Sequence, residues 1–158
     1  MASEFTPQST PLRDMQLAYL FLRLTLGLNI LLHGLSRILA GPSHFAASLV
    51  PEFAKTPLAD WAVYDFGLIL PWAEGLLGLL LLLGLVTRWT LVAGSLLMLT
   101  LTFGTTLRQD WPSAGLQLIY SIVYAALLAF RSLNLYSVDS LLHRNSKPQV
   151  GFSAVNRP

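Results

Sequence analysis

Glu74 stands inside the stretch Pro71-Trp-Ala-Glu-Gly-Leu-Leu-Gly-Leu-Leu-Leu-Leu-Leu-Gly-Leu-Val-Thr-Arg88, and between Phe66 and Thr87 it is the sole charged residue. A carboxylate in so apolar a run costs roughly 2.5–3.5 kcal/mol to insert into a membrane, so it calls for a partner and marks a site. Candidates stand in an earlier apolar run. Asn29, His33 and Arg37 are spaced i, i+4 and i+8, one stripe of a helix, with Arg23 further back. Gln117, Tyr120, Ser121 and Tyr124 form a second stripe at i, i+3, i+4 and i+7. Glu74 and His33 are groups that hold or pass a proton. A tyrosine hydroxyl can bond a ligand carbonyl while its ring packs on the ligand face. Together these residues can line a pocket for a polar head such as a quinone. They can equally lock helices together through an ion pair and interhelical hydrogen bonds, and the spacing leaves both readings open.

Composition narrows the chemistry. The chain has 158 residues, 54% hydrophobic and 11% charged, with a mean hydropathy of +0.59; soluble chains carry about 25% charged residues. The absence of cysteine excludes disulfides, Cys-ligated iron–sulfur clusters and c-type haem attachment, so no covalently held cofactor is expected. His33 is the one histidine inside an apolar run, and no metal site is expected. A net charge of +2 without a basic cluster gives no reason to expect nucleic acid. The expected surroundings are lipid.

The elements that must position these residues are four apolar runs, each long enough to cross a hydrocarbon core of roughly 30 Å at 1.5 Å per residue. They are residues 16–40, 66–86, 89–107 and 114–130. The first is too long, and carries an internal arginine, for a cleaved signal peptide. Residues 1–15, with Pro7 and Pro11, read as a mobile arm, and 141–158 as a polar tail. Gly41–Asp65 reads as a loop whose segments 44–50 and 58–64 form short helices at the interface, with Trp61 and Tyr64 at headgroup level. Thr87-Arg88 reads as a tight turn. In Arg108-Gln-Asp-Trp-Pro-Ser113, Pro112 opens the last helix, Trp111 anchors it at the interface, and Arg108 and Asp110 stand where a pocket mouth would be.

Each run has one polar face, including Ser95, Met98, Thr102 and Thr105 in the third. The expected fold is therefore all-α: a polytopic four-helix membrane bundle, residues 16–140, with its polar faces inward. Four crossings put both termini on one side. Arg13, Arg88, Arg131, Arg144, Lys147 and Arg157 then face Arg37, Lys55 and Arg108, which places both termini in the cytoplasm. By depth, Glu74 is within reach of His33 or Arg37 and less so of Arg23, which is free to snorkel inward. Gly27, Gly34, Gly75 and Gly78 allow close helix approach, within one bundle or between subunits.

Three segments carry a family resemblance. Leu22-Arg-Leu-Thr-Leu-Gly-Leu-Asn-Ile-Leu-Leu-His-Gly-Leu-Ser-Arg37 resembles the opening helix of DoxX-type membrane proteins, with its Arg, its His-Gly and a basic residue three positions later. The stretch from Pro71 to Arg88 resembles that family's second helix. Phe103-Gly, Gln109-Asp-Trp and Gly115-Leu-Gln-Leu-Ile-Tyr120 are similar to the third-to-fourth helix region of some members. Arg37 departs from the lysine common in relatives, which keeps the charge and changes its hydrogen-bonding geometry. The resemblance implies a multi-pass protein of the bacterial inner membrane in the DoxX and DoxD group, which includes the membrane subunit of thiosulfate:quinone oxidoreductases. Arg23, His33, Arg37, Glu74 and Arg88 match the family's polar positions.

What it implies for function is a quinone-linked oxidoreductase subunit oxidising thiosulfate or another small reductant. Glu74 and His33 would be its catalytic groups, and Arg37, Arg23, Asn29, Gln117, Tyr120, Tyr124 and Arg108 its ligand contacts. The alternative is a non-catalytic scaffold or assembly subunit, with a partner protein or a second copy of the chain. A transporter is disfavoured by the lack of an internal repeat.

Overall fold

The computed structural model describes residues 10–145, and every regular element among them is helical. Six α-helices follow in order: α1 (Thr10–Ala40), α2 (Pro42–Leu49), α3 (Asp60–Leu83), α4 (Thr87–Leu107), α5 (Trp111–Ala129) and α6 (Val138–Asn145). Single 3-10 turns at Val50–Phe53 and Arg131–Leu133 connect them. Four helices, α1, α3, α4 and α5, are long and apolar enough to cross a membrane, as the four hydrophobic runs foretold.

Boundaries differ from expectation where capping chemistry overrides hydropathy. Helix α1 begins at Thr10 rather than at 16, because Pro11 falls in the first turn, where its missing N–H is an orphan in any case. The expected mobile arm is thus helical from Thr10, and residues 1–9 lie outside the described residues. The interfacial helix expected at 58–64 does not form separately. Asp60–Asp65 are the opening turns of α3, carrying Trp61 and Tyr64, with Asp60 at the positive end of the helix dipole. The Gly41–Asp65 loop is accordingly shorter and contains α2, close to the helix expected at 44–50. The tight turn lies at Gly84–Val86, not Thr87-Arg88. Gly84 (φ 63°) and Val86 (φ 48°) both take left-handed conformations, and Thr87 already starts α4. Helix α5 starts at Trp111 because the Asp110 carboxylate accepts from Ser113 N–H at 3.2 Å.

The four spans run up, down, up and down as two close antiparallel pairs, α1 with α3 and α4 with α5. Glycines set the first pair. A Cβ on Gly27 would come within 2.9 Å of the Leu82 backbone nitrogen, and Gly34 and Gly78 press still closer on the backbones of Gly75 and Leu31. This is small-residue packing inside one bundle. Gly75 differs, since a Cβ there would meet only Ile38 Cδ1 at 3.7 Å. In the second pair, Gly94 makes room for the Tyr124 ring. Between the pairs lies an apolar cluster of Leu26, Ile30, Leu81, Leu91, Met98, Tyr124 and Leu127. The inward polar groups are gathered beside that cluster as separate pairs.

Leucines of the glycine-rich run divide as the bundle requires: Leu77 and Leu81 are buried, while Leu76, Leu79 and Leu83 face outward to lipid. Trp61 and Trp111 at one end and Trp89 at the other are exposed, as an aromatic belt requires. Arg13, Arg88 and Arg131 lie toward the end holding the start of α1 and the end of α5; Arg37, Lys55 and Arg108 lie toward the other. Arg144 is in α6, and Lys147 and Arg157, with the tail from 146, are outside the described residues.

Candidate functional site

Arg37 answers Glu74. Its guanidinium pairs directly with the Glu74 carboxylate, and the carboxylate is buried while Arg37 stays partly open. Glu74 stands further along its helix than the apolar run alone indicates. With α3 starting at Asp60, it is fourteen residues into the helix, roughly 21 Å at helical rise. His33 makes no side-chain hydrogen bond among the described residues. It lies on the exposed side of α1, near enough to Glu74 for a Coulombic interaction.

Arg37 also lines a cavity of about 460 Å³ between α2, α3, α4 and α5, at the end away from the termini. That volume lies in the range typical of small-molecule sites. The turn after α2 contributes Glu52 and Phe53, and α2 contributes Phe45 and Leu49. Helix α3 adds Ala62, Val63, Phe66 and Leu70; α4 adds Leu101, Phe103, Gly104, Thr105 and Arg108; α5 adds Ser113 and Gln117. The walls are mainly aromatic and aliphatic, with polar groups at three places. Arg37 is packed under the Phe45 ring at 4.6 Å. Thr105 Oγ1 donates to Gln117 Oε1 at 2.8 Å. Arg108 lies over the Phe53 ring at 5.1 Å, pairs with Glu52, and donates from Nη2 to Asp110 Oδ2 at 2.9 Å. The Asp110 carboxyl is held below its ordinary range, chiefly by hydrogen bonds from Ser113 and further by Arg108.

The remaining candidates are elsewhere. Tyr120 donates to Asn29 Oδ1 at 3.2 Å, joining α5 to α1 away from the cavity. Tyr124 is fully buried over Gly94, with no partner for its hydroxyl. Arg23 does not snorkel. It is 1% exposed, donating from Nη1 to the carbonyls of Leu81 and Leu82 and from Nη2 to the Tyr136 carbonyl at 2.8 Å. It ties the end of α3 to the segment after α5. There Asp139 accepts from Val86 N–H and Thr87 N–H, both at 2.7 Å, capping α4. A smaller groove of about 280 Å³ at this end, lined by Met15, Tyr19, Leu22 and Phe130, is almost wholly apolar. Arg88 is exposed, against the Trp89 ring at 5.4 Å.

Sequence reasoning thus found Arg37, Arg108 and Gln117 on the cavity wall. It missed Glu52, Thr105 as the partner of Gln117, and the phenylalanines Phe45, Phe53, Phe66 and Phe103. The signal for Phe45 and Phe53 lies in the proline-punctuated connection, whose phenylalanines line the cavity. No group of His, Asp and Glu arranged to hold a metal occurs among the described residues.

A model of the DoxX family matches residues 18–107. No curated protein and no solved structure matches the chain.

Proposed function

The chain belongs to the DoxX family, and from that premise we propose that it is a quinone-linked oxidoreductase subunit whose quinone pocket is the cavity between α2, α3, α4 and α5. The observation that carries the reading is the cavity's make-up: phenylalanine-rich walls of the right size, with the guanidinium groups of Arg37 and Arg108 and the Thr105–Gln117 pair converging on it. Planar rings pack on such walls, and carbonyl oxygens accept from such donors. A bound quinone would supply two-electron, two-proton redox capacity.

The chain's own groups bind and orient. Arg37 and Arg108 are donors on opposite walls. Glu74 lies behind the wall and holds Arg37 in place, so it acts on the ligand through Arg37, whereas the carboxylate on the wall itself is Glu52. His33 is not on the wall, so in this reading it is an outlying group and not the catalytic group expected. The proposed setting is the bacterial inner membrane with both termini cytoplasmic and the cavity on the outer side. There the two arginines attract an anionic reductant, thiosulfate or a similar small oxyanion.

The test is lipid extraction and native mass spectrometry of the gently solubilised protein. A copurifying quinone that is lost in Arg37→Met and in Arg108→Gln, with the fold intact by circular dichroism, supports the reading. Absence of quinone, together with no thermal shift on adding a short-chain benzoquinone, overturns it.

One observation favours a second reading, a scaffold or assembly subunit. Arg23 and the Arg37–Glu74 pair are each engaged in tying helices together. That reading expects a stable partner protein or a second copy at fixed ratio in mild detergent and no bound small molecule.

A further inference from the structure

Two kinds of contact hold the α2 side over the cavity, which stays partly open. Helix α2 is packed closely on α3: Ala46 is fully buried, and a Cβ on Gly67 of α3 would come within 2.8 Å of its Cα. The turn that follows, Val50–Phe53, packs its backbone on α2 and α3. Across the cavity it reaches the α4–α5 side through the Glu52 and Phe53 side chains. Phe53 lies over Arg108 and stands 3.3 Å from where a Cβ on Gly104 would be. Glu52 pairs with Arg108.

Arg108 is held by two carboxylates that differ in how free they are to leave. Asp110 caps α5 through Ser113 and is fixed by that helix. Glu52 is half exposed and stands on a four-residue turn. The guanidinium keeps one donor in reserve: Arg108 Nε–H is buried and has no acceptor, although Arg108 lines the cavity. A buried donor without a partner is an unfavourable state that a ligand oxygen relieves.

We propose that Glu52 is the latch of the cavity: its carboxylate holds the Val50–Phe53 turn against the α4–α5 side by pairing with Arg108, and a ligand head bearing acceptor oxygens displaces it there. The ligand part rests on the reading of the cavity as a quinone site; the latch itself does not. Displacement exchanges one set of oxygen acceptors for another on the same guanidinium. The pairing lost is a half-exposed one, so release is shallow in free energy. Opening then requires movement of the short turn, with α2 staying on α3.

The absence of native cysteine permits a direct test in the full chain in lipid nanodiscs. Val63 is buried and lines the cavity, so Val63→Cys places the single thiol on the cavity wall. Labelling by a membrane-impermeant maleimide is expected to quicken roughly three- to five-fold when Glu52→Gln is added, the change given by losing one half-exposed ion pair from the paired state. Arg108→Gln, which also removes the contact with Phe53, is expected to quicken it at least as much, and the double variant to go no faster than Arg108→Gln alone. Hydrogen exchange of the chain with its native Val63 supplies the same reading without the thiol: residues 50–58 exchange faster in Glu52→Gln while 43–49 do not change. Equal labelling rates, or faster exchange throughout α2, overturn the latch. Binding of a short-chain benzoquinone or of thiosulfate is then compared in the native chain and in Glu52→Gln. Tighter binding by a similar factor supports displacement, and unchanged affinity overturns it. If neither probe binds either protein while labelling still quickens, the quinone reading fails and the latch stands.

Discussion

Arg23 and Arg37 lie on the same helix and the same side of it, yet the two ends of the bundle use them in opposite ways. At the end near the termini, Arg23 is sealed and serves backbone carbonyls of Leu81, Leu82 and Tyr136. Around it the chain is stapled: Asp139 caps α4, Asn134 Nδ2 donates to Thr87 Oγ1 at 3.0 Å, and Asp139 N–H bonds the Gly84 carbonyl at 3.1 Å. At the other end, Arg37 and Arg108 pair with carboxylates and face a cavity. An arginine whose donors go to backbone carbonyls has acceptors fixed by the helices that carry them, so it is suited to holding a fold. An arginine paired to a carboxylate at a cavity wall has an acceptor that another oxygen can replace. The contrast separates a structural end from a candidate binding end.

The comparison breaks most severely at Arg23. Replacing it by Met leaves three carbonyls without their donor in a sealed site, and stability is expected to fall by about 3–5 kcal/mol. Thermal unfolding in detergent measures this, and the cavity end should retain its maleimide accessibility at residue 63. Arg37→Met strands the Glu74 carboxylate, with an expected loss of about 3 kcal/mol. Adding Glu74→Gln recovers part of it, since the buried charge is gone. A double-mutant cycle measures that coupling.

Gly34→Ala pushes a methyl into the backbone of α3 and is expected to lose about 1–3 kcal/mol. Gly75→Ala, facing only Ile38, should fall within about 0.5 kcal/mol of the native protein. Similar values for the two would mean that the α1–α3 approach is not set by Gly34. Asp139→Asn weakens the cap on α4 and is expected to lose about 0.5–1 kcal/mol.

The smallest effect concerns pH at the cavity end. Asp110 has its carboxyl lowered in the folded chain, so its contribution is fully present above the ordinary carboxylate range and disappears as pH falls through the lowered value. A melting curve followed across about pH 5 to pH 3 should lose part of its acid sensitivity in Asp110→Asn.

The four spans, their order and the existence of a partner for Glu74 were legible in the sequence, because a buried charge and an apolar run announce themselves wherever they sit. The end of α1, the α2 segment and the start of α5 within three residues were legible too. Helix starts were misplaced at Thr10 and Asp60, where capping and dipole effects extend a helix beyond its hydrophobic stretch. Among the candidate residues, spacing along one helix placed Asn29, His33 and Arg37 on one stripe. It could not say that Arg37 turns to a cavity, Asn29 to Tyr120, and His33 to the outside.

What the sequence determined by itself is therefore the class of molecule: a four-span, cysteine-free helical membrane protein of the DoxX family with a charged interior. Hydrophobic length and residue chemistry are local properties and need no partner to be read. What the tertiary structure decided is which arginine holds the fold and which ones face the cavity, and that Glu52 and the phenylalanines line it. Those assignments depend on contacts between residues as far apart as Arg23 and Tyr136 or Glu52 and Arg108. Only the packing of helices brings such pairs together.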